Sequence, residues 1–338
     1  MKKIYLFMTL ILSAALIAGC GGSGGGSGSS GPAKKVILTD AGWDSIRIHN
    51  AIVKLIADKA YGMKTEVTTG STPITHTALV RGDIDVNLET WTDAIKSYQE
   101  DVKSGAIAEL GINFDDNRQG IYVPRYVIEG DAARGIAASA PDLKKVADLK
   151  KYPDVFKDEE QPSKGRLYGA IPGWGVDEIL FAKYNYYGLN ENFIYFRPGS
   201  DATMYASFVS AIEKGKPIAG YLWEPTWITG KYDLVLLEDD APYTNDADFK
   251  AGKTAFRSVP VTVSASKKFV ASAPPEFIEF LKKYKTSSAF TADGLAHMEE
   301  ARASYDDTAV YLLKKYDKML DQWLPADKAK IVRDALPK

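Results

Sequence analysis

Segments with the pattern of strands alternate with segments with the pattern of helices along most of the chain, and this alternation limits the possible folds most strongly. Apolar and polar residues alternate over 84–89, which is the period of a strand, whereas apolar residues recur at helical spacing over 48–56. Such alternation predicts an α/β fold with a largely parallel sheet. The predicted strands are 36–39, 65–69, 84–89, 167–171 and 218–222, and the predicted helices are about 44–62, 176–187, 204–213, 275–284 and 301–323.

Four of the six tryptophans stand just past the end of a predicted strand: Trp43, Trp91, Trp174 and Trp223. Ligands of open α/β sheets bind beyond the carboxyl ends of the strands, so these side chains are candidates for a ligand site, with core packing as the alternative for each of them. A quaternary ammonium group has no N–H to donate and is held instead by aromatic faces. The four tryptophans therefore predict a site for a choline-like or betaine-like compound, and sugar stacking is the competing use.

Composition excludes several classes of protein. The 42 basic and 44 acidic residues give a net charge of −2, which argues against a nucleic-acid binder. One cysteine and three scattered histidines leave little for a metal site or for histidine-based catalysis. The chain lacks a Gly-x-Ser-x-Gly elbow outside its Gly/Ser tract and a His-Glu-x-x-His helix. We expect no enzyme, no cofactor, no metal and no nucleic-acid partner, and a secreted glycan-active hydrolase is the enzymatic alternative.

The start of the chain has the pattern of a secretory signal. Two lysines precede an apolar run over 4–17 that ends in Ala18-Gly19-Cys20. This ending resembles the bacterial lipobox, in which the cysteine receives lipid after cleavage, and a flexible Gly/Ser tether follows over 21–31. We predict a lipoprotein signal peptide over 1–19, and lipidated Cys20 with its tether over 20–34. The protein would then lie outside the cytoplasm, lipid-anchored to the bacterial membrane on the outer face of the cytoplasmic membrane or in the periplasm.

Four motifs in order resemble those of the glycine betaine and choline substrate-binding proteins of ABC importers. They are Asp40-Ala41-Gly42-Trp43-Asp44-Ser45, Arg81-Gly82-Asp83-Ile84-Asp85-Val86 leading to Glu89-Thr90-Trp91, Gly173-Trp174-Gly175, and Trp223-Glu224-Pro225-Thr226-Trp227. The resemblance runs from about Lys35 to Lys315. It implies delivery of a quaternary amine to an ABC permease and its ATPase subunit, and a tethered ligand sensor of the same fold is the alternative.

The resemblance also implies the periplasmic-binding-protein fold of type II. Two lobes are then joined by two crossing hinge segments, and the ligand lies in the cleft between the lobes. We assign 35–121 and about 236–338 to lobe 1, and about 122–235 to lobe 2. The predicted crossings are 119–125 and a segment between about 232 and 264.

The site residues that the resemblance implies are the four tryptophans together with several neighbours. Tyr122, at the first predicted crossing, would be a further wall of the cage. Gly173 and Gly175 would offer the N–H groups of a helix N-terminus to a ligand carboxylate. Many betaine binders of the family have histidine where this chain has Thr226, so the choice among glycine betaine, choline and carnitine stays open. Asp44 is either a helix N-cap or a ligand contact.

Overall fold

The computed structural model describes residues 35–337, which form ten strands and fourteen α-helices. The strands are β1 (Lys35–Asp40), β2 (Lys64–Thr69), β3 (Val86–Trp91), β4 (Ile107–Phe114), β5 (Arg118–Pro124), β6 (Gly165–Tyr168), β7 (Phe193–Phe196), β8 (Gly220–Glu224), β9 (Leu234–Leu236) and β10 (Val261–Ser266). The helices are α1 (Asp44–Tyr61), α2 (Thr72–Arg81), α3 (Tyr98–Ser104), α4 (Arg125–Glu129), α5 (Gly175–Tyr186), α6 (Asp201–Glu213), α7 (Trp227–Lys231), α8 (Asp246–Lys250), α9 (Lys267–Ser272), α10 (Pro275–Lys283), α11 (Ser288–Ala301), α12 (Tyr305–Lys315), α13 (Lys318–Trp323) and α14 (Ala326–Ala335). The predicted signal peptide, Cys20 and the tether lie outside the described residues.

The strands form two five-stranded sheets. Sheet 1 has the order β2-β1-β3-β10-β4, and sheet 2 has the order β7-β6-β8-β5-β9. In sheet 1, β1 is parallel to β2 and β3, and β10 is antiparallel to β3 and β4. In sheet 2, β6 is parallel to β7 and β8, and β5 is antiparallel to β8 and β9. The α/β prediction is confirmed, but both sheets are mixed rather than largely parallel. In each sheet, the strand that follows a connection from the other sheet, β10 in sheet 1 and β5 in sheet 2, runs antiparallel to its neighbours.

Of the two connections between the sheets, the first differs from its predicted crossing and the second lies within the predicted range of about 232 to 264. The chain passes from sheet 1 to sheet 2 at 115–117 and returns between 237 and 260. The first predicted crossing, 119–125, is instead mostly β5, which pairs with sheet 2 from Arg118 onward. After β9 the chain stays against sheet 2, since Leu237 is in the core of that sheet and Phe256 packs on it. The strands therefore place the first change of lobe at 115–117 and the second within 237–260, whereas the predicted boundaries are 121/122 and about 235/236.

Helix α1 covers one face of sheet 1 because its apolar residues fall on one side. Ile48, Ile52 and Ile56 are fully buried in a core with β1, β3 and β10. The helix ends at Gly62, whose φ of 62° suits the left-handed cap that closes a helix. Helices α10 to α14 complete this core and bury Trp323 in it. No helix within 35–337 is long and apolar enough to cross a membrane.

Candidate ligand-binding site

A cavity lies between the two sheets, and all four predicted tryptophans line it. The space between its lining atoms, with the open mouth included, is about 690 Å³. Trp43 lies in the turn between β1 and α1, and Trp91 ends β3, so both come from the sheet 1 side. Trp174 directly precedes α5, and Trp223 lies in β8, so both come from the sheet 2 side. The structure thus brings together side chains that are up to 180 positions apart in the sequence.

The indole ring of Trp174 stands nearly perpendicular to those of Trp43 and Trp223. The centroids of Trp43 and Trp174 are 6.0 Å apart at an interplanar angle of 84°. Those of Trp174 and Trp223 are 5.2 Å apart at 75°. Trp91 is held separately, edge-to-face on Phe114 at 5.9 Å. Rings in perpendicular planes can offer several faces to one compact cation, which is the arrangement that cation–π recognition needs.

The two sides of the cavity are in contact around it. Trp43 and Ile46, from the sheet 1 side, pack in the core of sheet 2. A Cβ at Gly175, the first residue of α5, would lie 2.9 Å from the carbonyl oxygen of Ala94, which follows β3. Only a residue without a side chain fits there, so glycine permits this close approach of the two lobes.

Glu89 is a site residue that the sequence patterns did not single out. Its Oε1 accepts hydrogen bonds from Trp43 Nε1 at 2.8 Å, Trp91 Nε1 at 3.0 Å and Ser45 Oγ at 2.9 Å. The side chain is 1% exposed, and this burial raises the pKa of Glu89 to about 7. The available signal was the period of two in β3, which places Glu89 and Trp91 on the same face.

The remaining polar lining of the cavity is neutral or acidic. Gln119 accepts a hydrogen bond from the Tyr221 hydroxyl at 2.8 Å, and the Tyr221 ring stacks on Trp223 at 5.9 Å. Burial raises the pKa of Tyr221 far above its usual value, which keeps the hydroxyl protonated. Asp93 lies 3.5 Å from Arg257, which does not line the cavity. Among the described residues, no lysine, arginine or histidine lines this cavity.

Tyr122 does not reach the cavity, contrary to its predicted place as a wall. It is 2% exposed in the core of sheet 2, and its hydroxyl donates to Glu224 Oε1 at 2.8 Å. Side chains alternate between the two faces of a strand, and Tyr122 is three residues from Gln119, the β5 residue that lines the cavity. Tyr122 therefore lies on the opposite face of β5 from the cavity. The tyrosine at the cavity is instead Tyr221, on the paired strand β8.

Asp44 and Thr226 lie beside the cavity, where each has partners within the protein. The N-cap of α1 is Trp43 rather than Asp44, so the predicted cap is one residue off. The Asp44 carboxylate accepts a hydrogen bond from the Tyr305 hydroxyl at 2.7 Å and lies 3.6 Å from Arg47. Thr226 caps α7 by accepting the N–H of Thr229 at 3.3 Å, and it is buried. Both residues line a smaller neighbouring hollow of about 180 Å³.

Gly173 and Gly175 lie in a separate groove that adjoins the cavity. Trp174, between them, lines both spaces. The groove also includes His76, whose Nε2 is 2.8 Å from an oxygen of Asp101. The turn thus lines the groove and is joined to the cavity through Trp174, and that the turn holds a ligand carboxylate stays a prediction.

Comparisons with known proteins agree with one another. Residues 34–315 match the family described as the substrate binding domain of the ABC-type glycine betaine transport system. A glycine betaine/proline betaine-binding periplasmic protein of Escherichia coli is 25% identical over 268 residues, which cover 74% of this chain and 76% of that protein.

Solved structures show the same fold. The glycine betaine, L-proline ABC transporter binding protein of Borrelia burgdorferi is 22% identical with a TM-score of 0.69, over 88% of this chain and all of that one. An ABC-transporter choline binding protein in complex with choline is 19% identical with a TM-score of 0.69, over 90% of this chain and 98% of that one. The similarity to both structures covers both sheets, and at this level of identity it bears on the fold alone.

Proposed function

The chain belongs to the family of substrate-binding domains of ABC-type glycine betaine transport systems, and from this premise we propose that it captures a quaternary ammonium compound between Trp43, Trp91, Trp174 and Trp223. The observation that carries the proposal is the convergence of these four indoles on one cavity between the sheets. The curated relative from Escherichia coli is named for glycine betaine and proline betaine, and one structural neighbour holds choline. The ligand class proposed here is the chemistry common to these compounds, a nitrogen that carries four carbon substituents.

The cage recognises the methylated head because that head is weakly hydrated. Each aromatic face contributes about 0.5–2 kcal/mol to the binding of such a cation, with the larger values where water is excluded. Sodium, ammonium and lysine side chains are strongly hydrated, and an aromatic wall does not replace the hydrogen bonds that they would lose. Trp43 and Trp223 are 6% and 4% exposed, so at least these two faces are already withdrawn from water.

Capture is proposed to involve closure of the two lobes. The lobes are joined by two segments, 115–117 and 237–260, and the tryptophans come in pairs from opposite sides. A ligand that contacts both pairs stabilises the arrangement in which the lobes touch, as in other hinge-bending binding proteins. The polar end of the ligand has two candidate neighbours, the turn at Gly173–Gly175 and the hollow beside Asp44 and Thr226.

We further propose that the protein delivers its ligand to an ABC permease and its ATPase subunit from the outer side of the membrane. The family supports an extracytoplasmic place. The lipobox-like Ala18-Gly19-Cys20 and the Gly/Ser tract after it support a lipid anchor at Cys20. Mass spectrometry of the protein purified from membranes tests this point, because a diacylated N-terminal cysteine has a mass that an unprocessed chain lacks.

The proposed ligand class is tested by titrating the purified protein with glycine betaine, choline, carnitine and proline betaine. Intrinsic tryptophan fluorescence reports binding, since the cage itself is the chromophore. We expect saturable one-to-one binding of at least one of these compounds. Saturation by none of them, with the protein shown to be folded by circular dichroism, would refute the proposal.

A further inference from the structure

A buried carboxylate stands among the cage residues, and it has no cationic partner within residues 35–337. Glu89 lines the cavity, and its Oε1 accepts three hydrogen bonds, two of them from cage indoles. Its Oε2 is also buried and has no hydrogen-bond partner among residues 35–337. A buried carboxylate that lacks a compensating cation is costly, so it takes up a proton or is matched by a positive charge that arrives from elsewhere.

In the part of the chain that the structure describes, the groups around Glu89 do not supply that charge. Arg257 lies near Asp93, and Arg47 lies between Asp40 and Asp44. His49, one helical turn from Ser45, is fully buried, and this burial lowers its pKa to about 3, so it is neutral at physiological pH. The hydroxyls of Tyr205, Tyr221 and Tyr284 face the same region. Burial raises their pKa values far above the usual value, so these groups are neutral as well.

We propose that Glu89 is the fixed counter-charge of the bound cation, and that the site therefore prefers quaternary ammonium compounds of net charge +1 over zwitterions. This inference rests on the proposed function and adds a ligand charge to it. A compound such as choline brings only the positive charge that Glu89 lacks. Glycine betaine also brings a carboxylate, and the described lining of the cavity offers it no lysine, arginine or histidine.

The hydrogen bonds of Glu89 connect this charge to the aromatic faces. An indole whose N–H donates to a carboxylate gains electron density on its ring, because hydrogen-bonded groups polarise one another in a medium of low dielectric constant. Trp43 and Trp91 both donate to the same oxygen, so both rings become better partners for a cation. The two hydrogen bonds also help to orient the rings, because each indole N–H must point at the Glu89 oxygen.

Binding of a cation is then coupled to loss of a proton. Burial raises the pKa of Glu89 to about 7 in the free protein, so a part of the molecules is protonated at neutral pH. A bound cation favours the ionised carboxylate and lowers this pKa, so affinity for choline rises with pH and levels off once free Glu89 is ionised. Below the pKa of the free protein the slope approaches about tenfold per pH unit. A zwitterion, whose carboxylate opposes the ionised form, gives a shallower profile.

The test compares choline and glycine betaine by calorimetry between pH 5.5 and 8.5, in the wild-type protein and in two variants. Glu89→Gln keeps an oxygen that accepts from the indoles but removes the charge. We expect this variant to bind choline about tenfold more weakly or worse at pH 8, to lower the ratio of choline to betaine affinity, and to flatten the pH profile. Glu109→Gln is the matched control, because Glu109 lies in the same sheet and accepts from the Tyr98 hydroxyl outside the cavity. It should leave the ratio and the profile unchanged.

The outcomes separate this inference from the proposed function. An unchanged choline-to-betaine ratio in Glu89→Gln at pH 8, with both ligands still bound, would overturn the role of Glu89 and leave the aromatic cage standing. If Glu89→Gln does not fold, the wild-type profile decides, and a choline affinity that is flat from pH 5.5 to 8.5 would overturn the inference. Failure of the wild-type protein to bind either ligand would overturn both.

Discussion

Replacement of Trp91 by alanine is the sharpest perturbation of the proposed cage. Trp91 is partly exposed at the end of β3, so its truncation disturbs the core less than truncation of Trp43 or Trp223, which are nearly fully buried. The substitution removes one aromatic face from the ligand. It also removes one of three donors to Glu89; because these donors favour the ionised carboxylate, this loss weakens cation binding in the same direction as loss of the aromatic face.

The expected magnitude follows from the face that is lost. A desolvated cation–π contact contributes about 2 kcal/mol, which corresponds to a roughly thirtyfold increase in Kd. Trp323→Phe is the control, because Trp323 is fully buried in the core of sheet 1, against Tyr284 at 4.7 Å. It should change the affinity by less than about threefold, or about 0.7 kcal/mol, whatever its effect on the free energy of unfolding.

Calorimetry on both variants, with the ligand that the wild-type protein binds best, gives the two dissociation constants directly. Thermal unfolding of each variant shows whether it is folded at the assay temperature. Equal affinities in Trp91→Ala and the wild-type protein would refute the assignment of Trp91 to the site. Equal losses in Trp91→Ala and Trp323→Phe would mean that the loss at Trp91 reflects packing rather than contact with the ligand.

Three further predictions concern the ligand, the motion and the neighbouring hollow. Dimethylglycine should bind more weakly than glycine betaine and glycine not detectably, because each lost methyl exposes an N–H that aromatic walls cannot satisfy; equal calorimetric affinities would contradict this. Saturating ligand should raise the melting temperature and reduce the radius of gyration in X-ray scattering, since it binds the native state and joins the two lobes; an unchanged scattering curve with binding confirmed would favour a preformed pocket. Thr226→Ala should lower the free energy of unfolding by about 1 kcal/mol through loss of the α7 cap. Both Thr226→Ala and Asp44→Asn should leave the ratio of choline to betaine affinity unchanged. The reason is that Thr226 already has a partner in Thr229, and Asp44 has partners in Tyr305 and Arg47. A changed ratio in either variant would place the polar end of the ligand in that hollow.

The sequence predicted those parts of the fold and the site that depend on local pattern. The position of each tryptophan just past a strand is visible in the sequence, and the carboxyl ends of neighbouring strands meet at one edge of a sheet. That is why Trp43, Trp91, Trp174 and Trp223 were found together as a group. The family resemblance then supplied the two lobes, which local pattern alone does not specify.

The parts that were missed depend on tertiary contacts. The alternation of β5 does not tell which face meets the cavity, so the sequence pointed to Tyr122, whereas Tyr221 of the paired strand is the one that lines the cavity. Glu89 looks like any charged residue of a strand until Trp43 and Ser45, from another segment, join Trp91 of its own strand as donors to it. The predicted lobe boundary at 121/122 lies a few residues after the observed connection at 115–117. The pairing of β5 with β8 already begins at Arg118, and it involves a segment more than 100 residues away, which local pattern does not reveal.

The central claim is that aromatic faces recognise a quaternary ammonium head, and calorimetric titration with tetramethylammonium tests it most directly. This cation is the head group without any polar end, so the turn at Gly173–Gly175 and the hollow beside Thr226 have nothing to recognise in it. We predict saturable one-to-one binding that weakens in Trp91→Ala, and no binding of ammonium at the same concentration. Absence of tetramethylammonium binding, or equal binding of ammonium, would contradict the account.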